Sequence, residues 1–400
     1  MKVLGHIILL WLFTIGPVKA QLDLFEEVVF KETPKGTYTS LENARQHPDQ
    51  VLGLKLIRKK LTILPAELTQ YKSLKELNLS YNQFTMLSPD IGQFTLLEKL
   101  LLDKNHLTQL PKEIAQLSKL QVLSVYNNQL SDLPKQLAQL KQLKKLQLAR
   151  NKFSQLPKVV TQLPQLKALN LLGNPLTGLP ENFSRLKSLR TLKLPSSFET
   201  LPQSITELDS LETLLIIGGK LSSLPASLGK LANLQTLNLD QNKITTLPPE
   251  IGQLQSLKVL YLTSNNLRTL PPEIGRLQGL QYLDLWLNEL TSLPTEIGKL
   301  QNLKGLGLSD NKLTQLPPDI AFLQNLTELL LADNRLTQLP NNIGQLKRLR
   351  KLDLSNNQLK SLPESIQKLK NLKYLMLSGN PITKAEKNKI KQWLPRCIIR

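Results

Sequence analysis

The sequence predicts an α/β solenoid, a stack of similar coils that share one parallel sheet. The first observation is a unit of 23 residues over Leu257–Gly279, LKVLYLTSNNLRTLPPEIGRLQG, which recurs before and after itself. Each copy has the form Leu-x-x-Leu-x-Leu-x-x-Asn followed by Leu-x-x-Leu-Pro. A fixed period between about 20 and 50 residues is typical of solenoids. Fifteen units begin at residues 51, 74, 97, 120, 143, 166, 189, 211, 234, 257, 280, 303, 326, 349 and 372.

The second observation is the alternation inside the unit. In Leu260-Tyr261-Leu262 the leucines point to one side of a strand and Tyr261 points to the other. One unit cannot bury its own leucines, whereas stacked units cover one another. Because each buried leucine contributes about 1.5–3 kcal/mol, several per unit offset the cost of ordering the coil. The leucines are therefore expected inside, and the residues between them outside.

The third observation is a polar residue at a constant place after each strand. The amide of Asn265 can donate to and accept from backbone groups that the turn leaves unpaired, so stacked asparagines should form a ladder. Leu270-Pro271 then begins a short helical return segment with Ile274 and Leu277 on its apolar side. The predicted ladder consists of Asn82, Asn105, Asn128, Asn151, Asn174, Asn242, Asn265, Asn288, Asn311, Asn334, Asn357 and Asn380.

This pattern resembles the leucine-rich repeat family. The resemblance implies an arc of about fifteen units with a concave parallel sheet, short helical or 3-10 segments on the convex side, and helical caps at both ends. It implies no catalytic residues.

The first twenty residues read as a signal peptide. Lys2 is followed by an apolar run over Val3–Ile15, and Val18-Lys19-Ala20 is a small-residue cleavage site before Gln21. The run is too short for a comfortable membrane span. The sequence therefore predicts export, to the outer surface or as a secreted protein, with the periplasm or an uncleaved anchor as alternatives.

The remaining boundaries follow from the repeat. Residues 21–50 are predicted to cap the first coil, with a capping box in which Thr39 is the N-cap and Glu42 its partner, and a helix that runs to about His47. Residues 51–382 hold the repeats, and residues 383–400 form a C-terminal cap that opens with Thr383 and Glu386. Cys397, the only cysteine, allows no intrachain disulfide and is predicted to be a small buried residue of this cap.

Two consecutive units depart from the pattern. Ser197 and Gly219 occupy ladder positions, and the interval from 189 to 211 is one residue short. Neither residue can make the paired amide bonds, so a local irregularity in curvature is predicted near 194–221. Tolerated sequence drift is the alternative.

No arrangement typical of an enzyme is found. His47, His106 and Cys397 lie in well-separated units, no spacing suits zinc, and no glycine-rich phosphate loop follows a strand. Asp240 and Asp284 are predicted on the concave side as single, solvated acids. We therefore expect no enzymatic activity, no metal and no cofactor.

Two groups of outward residues are predicted to bind partners. The first contains Val259, Tyr261, Tyr282 and Trp286, because tyrosine and tryptophan dominate interface hot spots. This group favours a protein partner, although aromatic rings also stack on sugars, and the alternative is scattered exposed apolar residues.

The second group is basic, in a chain with 51 Lys and Arg against 31 Asp and Glu. It consists of Lys99, Lys104, Lys144, Lys145 and Arg150, and it favours a polyanion or an acidic protein surface. For an exported protein, sulfated glycans are preferred over nucleic acid. The alternative is a surface that only solubilises the protein.

Both ends add to the resemblance. The leader, the segment Gly36-Thr37-Tyr38-Thr39-Ser40-Leu41 and the ending Leu-Pro-Arg-Cys resemble exported leucine-rich repeat proteins of pathogenic spirochaetes. This implies a protein that engages host surface or matrix proteins as an adhesin or effector. Two alternatives stay open: a periplasmic or cell-envelope scaffold with a bacterial partner, and a decoy or inhibitor of a host receptor or enzyme.

Overall fold

A computed structural model describes residues 35–400, so the predicted leader and the first part of the predicted N-terminal cap lie outside the described residues. The described chain forms short strands, one per coil, with an additional strand at each end. The strands are Thr37–Tyr38 (β1), Gly53–Lys55 (β2), Glu76–Asn78 (β3), Lys99–Leu101 (β4), Val122–Ser124 (β5), Lys145–Gln147 (β6), Ala168–Asn170 (β7), Thr191–Leu194 (β8), Thr213–Ile216 (β9), Thr236–Asn238 (β10), Val259–Tyr261 (β11), Tyr282–Asp284 (β12), Gly305–Gly307 (β13), Glu328–Leu330 (β14), Lys351–Asp353 (β15), Tyr374–Met376 (β16) and Ile398–Ile399 (β17). Strands β2 to β16 match the fifteen predicted units.

The described chain divides into two compact units. The N-terminal unit holds residues 35–198 and 202–216, and the C-terminal unit holds residues 199–201 and 217–400. In the N-terminal unit each strand from β1 to β9 pairs in parallel with the next, and in the C-terminal unit the same holds from β10 to β17. The register advances by one repeat per strand, as in Leu260 opposite Leu283, which confirms the predicted solenoid.

The core of each unit is made of the repeated leucines. The central leucine of every repeat strand, such as Leu260, is fully buried, and so are Leu257 and Leu262 on either side of it. These side chains stack on their equivalents in neighbouring coils, which is the mutual covering that a single coil lacks.

Short 3-10 helices form the side opposite the sheet. They are Pro48–Gln50, Ala66–Gln70, Pro89–Gln93, Lys112–Gln116, Lys135–Gln139, Lys158–Gln162, Glu181–Arg185, Gln203–Ile205, Ala226–Lys230, Pro249–Gln253, Pro272–Arg276, Thr295–Lys299, Pro318–Phe322, Ile343–Gln345 and Glu364–Lys368. The repeated proline lies at the N-cap, as Pro271 does with its extended backbone, rather than inside the helix. Ile274 and its equivalents are fully buried and attach this side to the core.

The asparagines form a hydrogen-bonded ladder within each unit. The side-chain amide of Asn265 donates to the carbonyl oxygens of Leu239 (2.9 Å) and Leu262 (3.0 Å), and its oxygen accepts the N–H of Ile244 at 3.0 Å. Each asparagine thus bonds to its own turn and to the preceding coil. Because these backbone groups are buried, each bond removes the cost of an unpaired polar group.

The coil that ends at Ser197 interrupts this arrangement. The Ser197 hydroxyl donates to the carbonyl of Leu176, a single bond where an asparagine makes several. The residue before each ladder position has a positive φ in the other described coils, for example Leu287 with φ 55° and Gly218 with φ 72°, whereas Ser196 does not. The division between the two units falls within residues 198–217, directly after this coil.

The two ends differ in detail from the expected caps. Helix α1 spans Leu41–Arg45, and its N-cap is Ser40, whose hydroxyl accepts the N–H of Asn43 at 3.3 Å. The prediction of Thr39 as the cap is therefore wrong by one residue, and the helix ends before His47. Strand β1, which pairs with β2, was not predicted.

At the other end, helix α2 spans Lys384–Trp393. The Thr383 hydroxyl accepts the N–H of Glu386 at 3.2 Å, as a capping residue does. Strand β17 then pairs with β16, so the last coil is covered by both a helix and a strand. No helix within residues 35–400 combines the length and hydropathy needed to cross a membrane.

Candidate binding surface

The open face of each unit is the side of the sheet that points away from the leucines. We define it as the outward residues of the repeat strands together with the two residues that precede each ladder position. In the coil of β11 these residues are Val259, Tyr261, Thr263 and Ser264. Side chains on neighbouring strands lie about 4.8 Å apart, so residues of the same register are in contact.

The predicted aromatic group lies together on the C-terminal unit. Val259 lies opposite Tyr282, and Tyr261 lies opposite Asp284, in the register of β11 with β12. Val259, Tyr282 and Trp286 are half-buried, so part of each side chain is accessible. Tyr261 is only 4% exposed, and its prediction as an accessible anchor is wrong.

Trp286 and Leu287 form the accessible centre of this group. The indole N–H of Trp286 donates to Asp310 Oδ2 of the next coil at 2.6 Å, which fixes the ring across the face. Leu287 is 42% exposed and has φ 55°. The left-handed backbone recurs at this position of the repeat, which is glycine in some coils, as at Gly379, and another residue in others, as at Tyr81. The φ value is therefore a property of the turn, and the exposed aliphatic side chain is what distinguishes Leu287.

Strand β13 contributes a feature that sequence reasoning missed. Both of its outward residues are glycines, Gly305 and Gly307. Gly305 lies between Tyr282 on one neighbouring strand and Glu328 on the other, so no side chain separates them at that register. The signal was present in the sequence, because every other repeat strand from β10 to β16 has side chains at both outward positions.

Asp240 and Asp284 are not the solvated single acids that were predicted. Asp284 is buried, and the hydroxyl-bearing Thr263 lies between the two carboxylates, with its N–H donating to Asp240 Oδ1 at 2.8 Å. Burial and then the charge of Asp284 raise the pKa of Asp240 to about 7. Burial also raises the pKa of Asp284, and burial followed by these two carboxylates raises the pKa of Tyr261. Asp240 follows β10 and Asp284 lies on β12, so one coil, that of Thr263, separates the two interacting acids.

The basic group lies on the N-terminal unit, where the structure corrects two of its members. Lys145 is only 6% exposed, so its prediction as an accessible cation is wrong, and its charge lies beside Asp103. Lys99 is also largely covered and forms an ion pair with Glu76 at 3.2 Å. Lys144 donates to Gln121 Oε1 at 2.8 Å, on the edge of the sheet. Acidic neighbours therefore offset part of the positive charge that the sequence predicted to be accessible to a partner.

The accessible cations are organised around tyrosines. The Tyr81 ring, 40% exposed, has the Arg58 guanidinium 4.7 Å from its centroid and the Lys104 ammonium at 4.5 Å. Arg150 lies 5.7 Å from the centroid of Tyr126 in the same way. Arg58 and Tyr81 were not predicted, although Arg58, Tyr81 and Lys104 follow one another at intervals of one repeat, which was a usable signal. Contacts of this type hold cations in place without neutralising their charge.

Metal-binding clusters and a reactive thiol are two features that catalysis often uses, and residues 35–400 show neither. No cluster of three or more His, Cys, Asp or Glu residues that could hold a metal occurs among them. Cys397 is half-buried rather than buried as predicted. Its partial burial raises the pKa of the thiol to about 11, so the reactive thiolate is scarce at neutral pH. The open faces present aromatic, acidic and basic side chains suited to binding.

Family models cover much of the repeat region. The model described as "Leucine rich repeat" matches residues 95–153, 141–197 and 324–382. The "Leucine-rich repeat region" model matches residues 225–284, and a second "Leucine Rich Repeat" model matches residues 73–94. A comparison with curated protein sequences found no match.

Solved structures that are similar to this chain also include leucine-rich repeat proteins. A leucine-rich repeat protein of Leptospira interrogans is 41% identical, with a TM-score of 0.85, and the match covers 91% of this chain and 99% of that one. The plant peptide hormone receptor RGFR1, solved with RGF2, is 34% identical, with a TM-score of 0.65, and the match covers 77% of this chain and 52% of the receptor. An internalin of Listeria monocytogenes is 22% identical, with a TM-score of 0.65 and coverage of 76% and 86%, and it shares the fold.

Three findings indicate the same family: the repeated strands, the asparagine ladder, and a match over almost the full length of a spirochaete relative. The chain belongs to the leucine-rich repeat family of protein-binding scaffolds.

Proposed function

We propose that the protein is a non-enzymatic, exported scaffold that binds a host surface or matrix protein through the open face of its C-terminal unit. The observation that carries this proposal is the accessible apolar group of Tyr282, Trp286 and Leu287. The Trp286 ring is held by its hydrogen bond to Asp310, so it loses little conformational entropy when a partner covers it. Interface hot spots are enriched in such residues.

The predicted leader supports export to the outer surface or secretion. The likeness to a receptor solved with a peptide hormone supports a polypeptide partner. A periplasmic scaffold and a decoy or inhibitor of a host protein are the alternatives. Protease treatment of intact cells distinguishes a surface protein from a periplasmic one. Degradation of the protein supports surface exposure, and full protection contradicts adhesion.

A pull-down from host extracts tests the binding face. The variant Tyr282→Ala/Trp286→Ala should lose the partners that the wild-type protein captures. The control is Phe322→Ala, because Phe322 is also an exposed aromatic residue, 47% accessible, but lies at the end of a 3-10 helix on the opposite side. Loss of the partners in the control, or their retention in the double variant, would contradict the proposal.

The basic open face of the N-terminal unit supports a second candidate, binding to a sulfated glycan. The specific observation is the pair of cations, Arg58 and Lys104, held on either side of Tyr81. Heparin should retain the protein up to several hundred millimolar salt, and Arg58→Gln/Lys104→Gln should elute earlier. Lys368→Gln/Lys370→Gln removes the same charge elsewhere and is the control. A wild-type protein that ignores heparin at low salt would eliminate this candidate.

A further inference from the structure

The open face of the C-terminal unit has a charge opposite to that of the rest of the unit. Residues 217–400 contain 24 Lys and Arg against 13 Asp and Glu. Over strands β10 to β16, however, the charged residues of the open face are six acids and one lysine. The acids are Asp240, Asp284, Asp310, Glu328, Asp333 and Asp353, and the lysine is Lys351.

Glu328 lies opposite Lys351, whereas the other five carboxylates accept hydrogen bonds from uncharged donors. Asp284 Oδ1 accepts the N–H of Trp286 at 3.1 Å, and Asp310 Oδ2 accepts the Trp286 indole N–H. Asp333 Oδ1 accepts from the side-chain amide of Asn356 at 2.8 Å, and Asp353 Oδ1 accepts the N–H of Ser355 at 3.0 Å. Neutral donors orient a carboxylate and leave its net charge in place, whereas a lysine or arginine would cancel it.

The acids also repel one another. Burial, and then the charge of Asp284, disfavours ionisation of Asp240, and the charge of Asp333 acts in the same direction on Asp310. A row of like charges on a sheet costs stability in the free protein. A cation placed on the face would relieve this cost, so the arrangement favours a positively charged occupant.

The surface between the acids suits a polypeptide. Tyr282, Trp286 and Leu287 offer apolar and aromatic contact area. Beside them, Gly305 and Gly307 place no side chain above the backbone of β13. Lysine and arginine side chains combine an apolar stem with a charged head, so they can contact aromatic rings and carboxylates together.

We propose that the open face of the C-terminal unit recognises a basic polypeptide segment, rich in arginine and lysine, that lies across the Tyr282–Trp286 group and pairs with the acids around it. This inference rests on the proposed function and names the chemical class of the partner. It predicts binding to a basic segment of the host protein rather than to an acidic one.

A fluorescein-labelled oligo-arginine peptide tests the inference by fluorescence anisotropy with the full chain. Because the protein has a net charge of +20, attraction to its surface as a whole cannot produce binding of a cationic peptide. The wild-type protein should bind the peptide. The variant Asp310→Asn/Asp333→Asn should bind it roughly 5- to 10-fold more weakly, since it removes two carboxylates whose attraction to the peptide is partly screened by solvent.

The matched control is Glu296→Gln/Asp319→Asn, which removes the same charge from two 3-10 helices on the opposite side. The control should bind as the wild type does. Absence of peptide binding by the wild-type protein, or an equal loss in both double variants, would overturn the inference. So would self-association of the chain that the peptide does not disrupt, because a second copy would then occupy the face.

The outcomes separate the two proposals. If the pull-down depends on Tyr282 and Trp286 but the oligo-arginine peptide does not bind, the binding face is correct and the basic partner is wrong. If the peptide binds and the pull-down does not depend on these residues, the acidic face is a separate site and the proposed function fails.

Discussion

At the scale of single residues, the buried acids of the open face make stability depend on pH. The pKa of Asp240 is raised to about 7, so the folded state binds a proton more tightly than the unfolded state does. The stability contributed by this proton is present at low pH and is lost as the pH rises towards and through 7.

The stabilisation of Asp240→Asn relative to the wild type should therefore be larger near pH 8 than near pH 5, because the unfolded carboxyl ionises from about pH 4 upward and the folded one only near pH 7. The expected gain is on the order of 2 kcal/mol, because the amide keeps an acceptor for Thr263 and carries no charge. Urea unfolding at the two pH values measures the difference. A gain of equal size at both values would show that the ionisation of Asp240 is not responsible.

The backbone at Leu287 gives a second prediction at this scale. A leucine with φ 55° costs about 1–2 kcal/mol, and glycine has no such penalty. Leu287→Gly should leave the free energy of unfolding unchanged or raise it by up to about 1 kcal/mol, because the entropy cost of glycine offsets part of the gain. Val259→Gly, in an extended strand, should instead lower it. A clear destabilisation by Leu287→Gly would mean that its side chain serves packing rather than binding.

At the scale of the structural element, the asparagine ladder connects one coil to the next. Asn265→Ala would leave the N–H of Ile244 without its partner. It would also remove one of the two asparagine donors to each of the carbonyls of Leu239 and Leu262. We expect a loss of about 2 kcal/mol in urea unfolding, since a buried unpaired group costs roughly 1–3 kcal/mol. The exposed Asn341→Ala should change stability by less than about 0.5 kcal/mol. Similar losses in the two variants would contradict the ladder's role.

The interrupted coil gives the second prediction at this scale. Ser197 makes one bond to Leu176 where other coils have an asparagine, and Ser196 lacks the left-handed turn. Amide hydrogen exchange should therefore be faster over residues 194–221 than over the coils before and after, because local opening breaks fewer bonds there. Equal protection in all of these coils would show that the substitution is tolerated drift.

The repeat made most elements predictable. The spacing of Leu257, Leu260 and Leu262 determines both the strand and its buried side, and stacking repeats the result in each coil. The cap was harder to predict, because Thr39 and Ser40 are both good N-caps and only the packing of α1 selects Ser40. Strand β1 has two residues and no alternation, so its pairing with β2 left no signal in the sequence.

At the scale of the whole molecule, the sequence predicted which residues share a face but not how crowded that face is. Tyr261 and Lys145 do point away from the leucines, as alternation requires. They are nevertheless buried, because the side chains of the adjacent coils crowd the face, and Lys145 lies beside the opposite charge of Asp103. Charge was misjudged for the same reason: Lys99 is paired with Glu76, whereas Arg58 remains available on Tyr81. Lateral contacts between coils depend on side-chain conformation, which a repeat pattern does not specify.

A partner is proposed to cover the open face of the sheet rather than the side of the 3-10 helices. Hydroxyl-radical footprinting with mass spectrometry, on the protein alone and with a captured host partner, tests this directly. The partner should protect Trp286, Tyr282 and Leu287 from oxidation and leave Phe322 as reactive as in the free protein. Protection of Phe322 with undiminished oxidation of Trp286 would contradict the account.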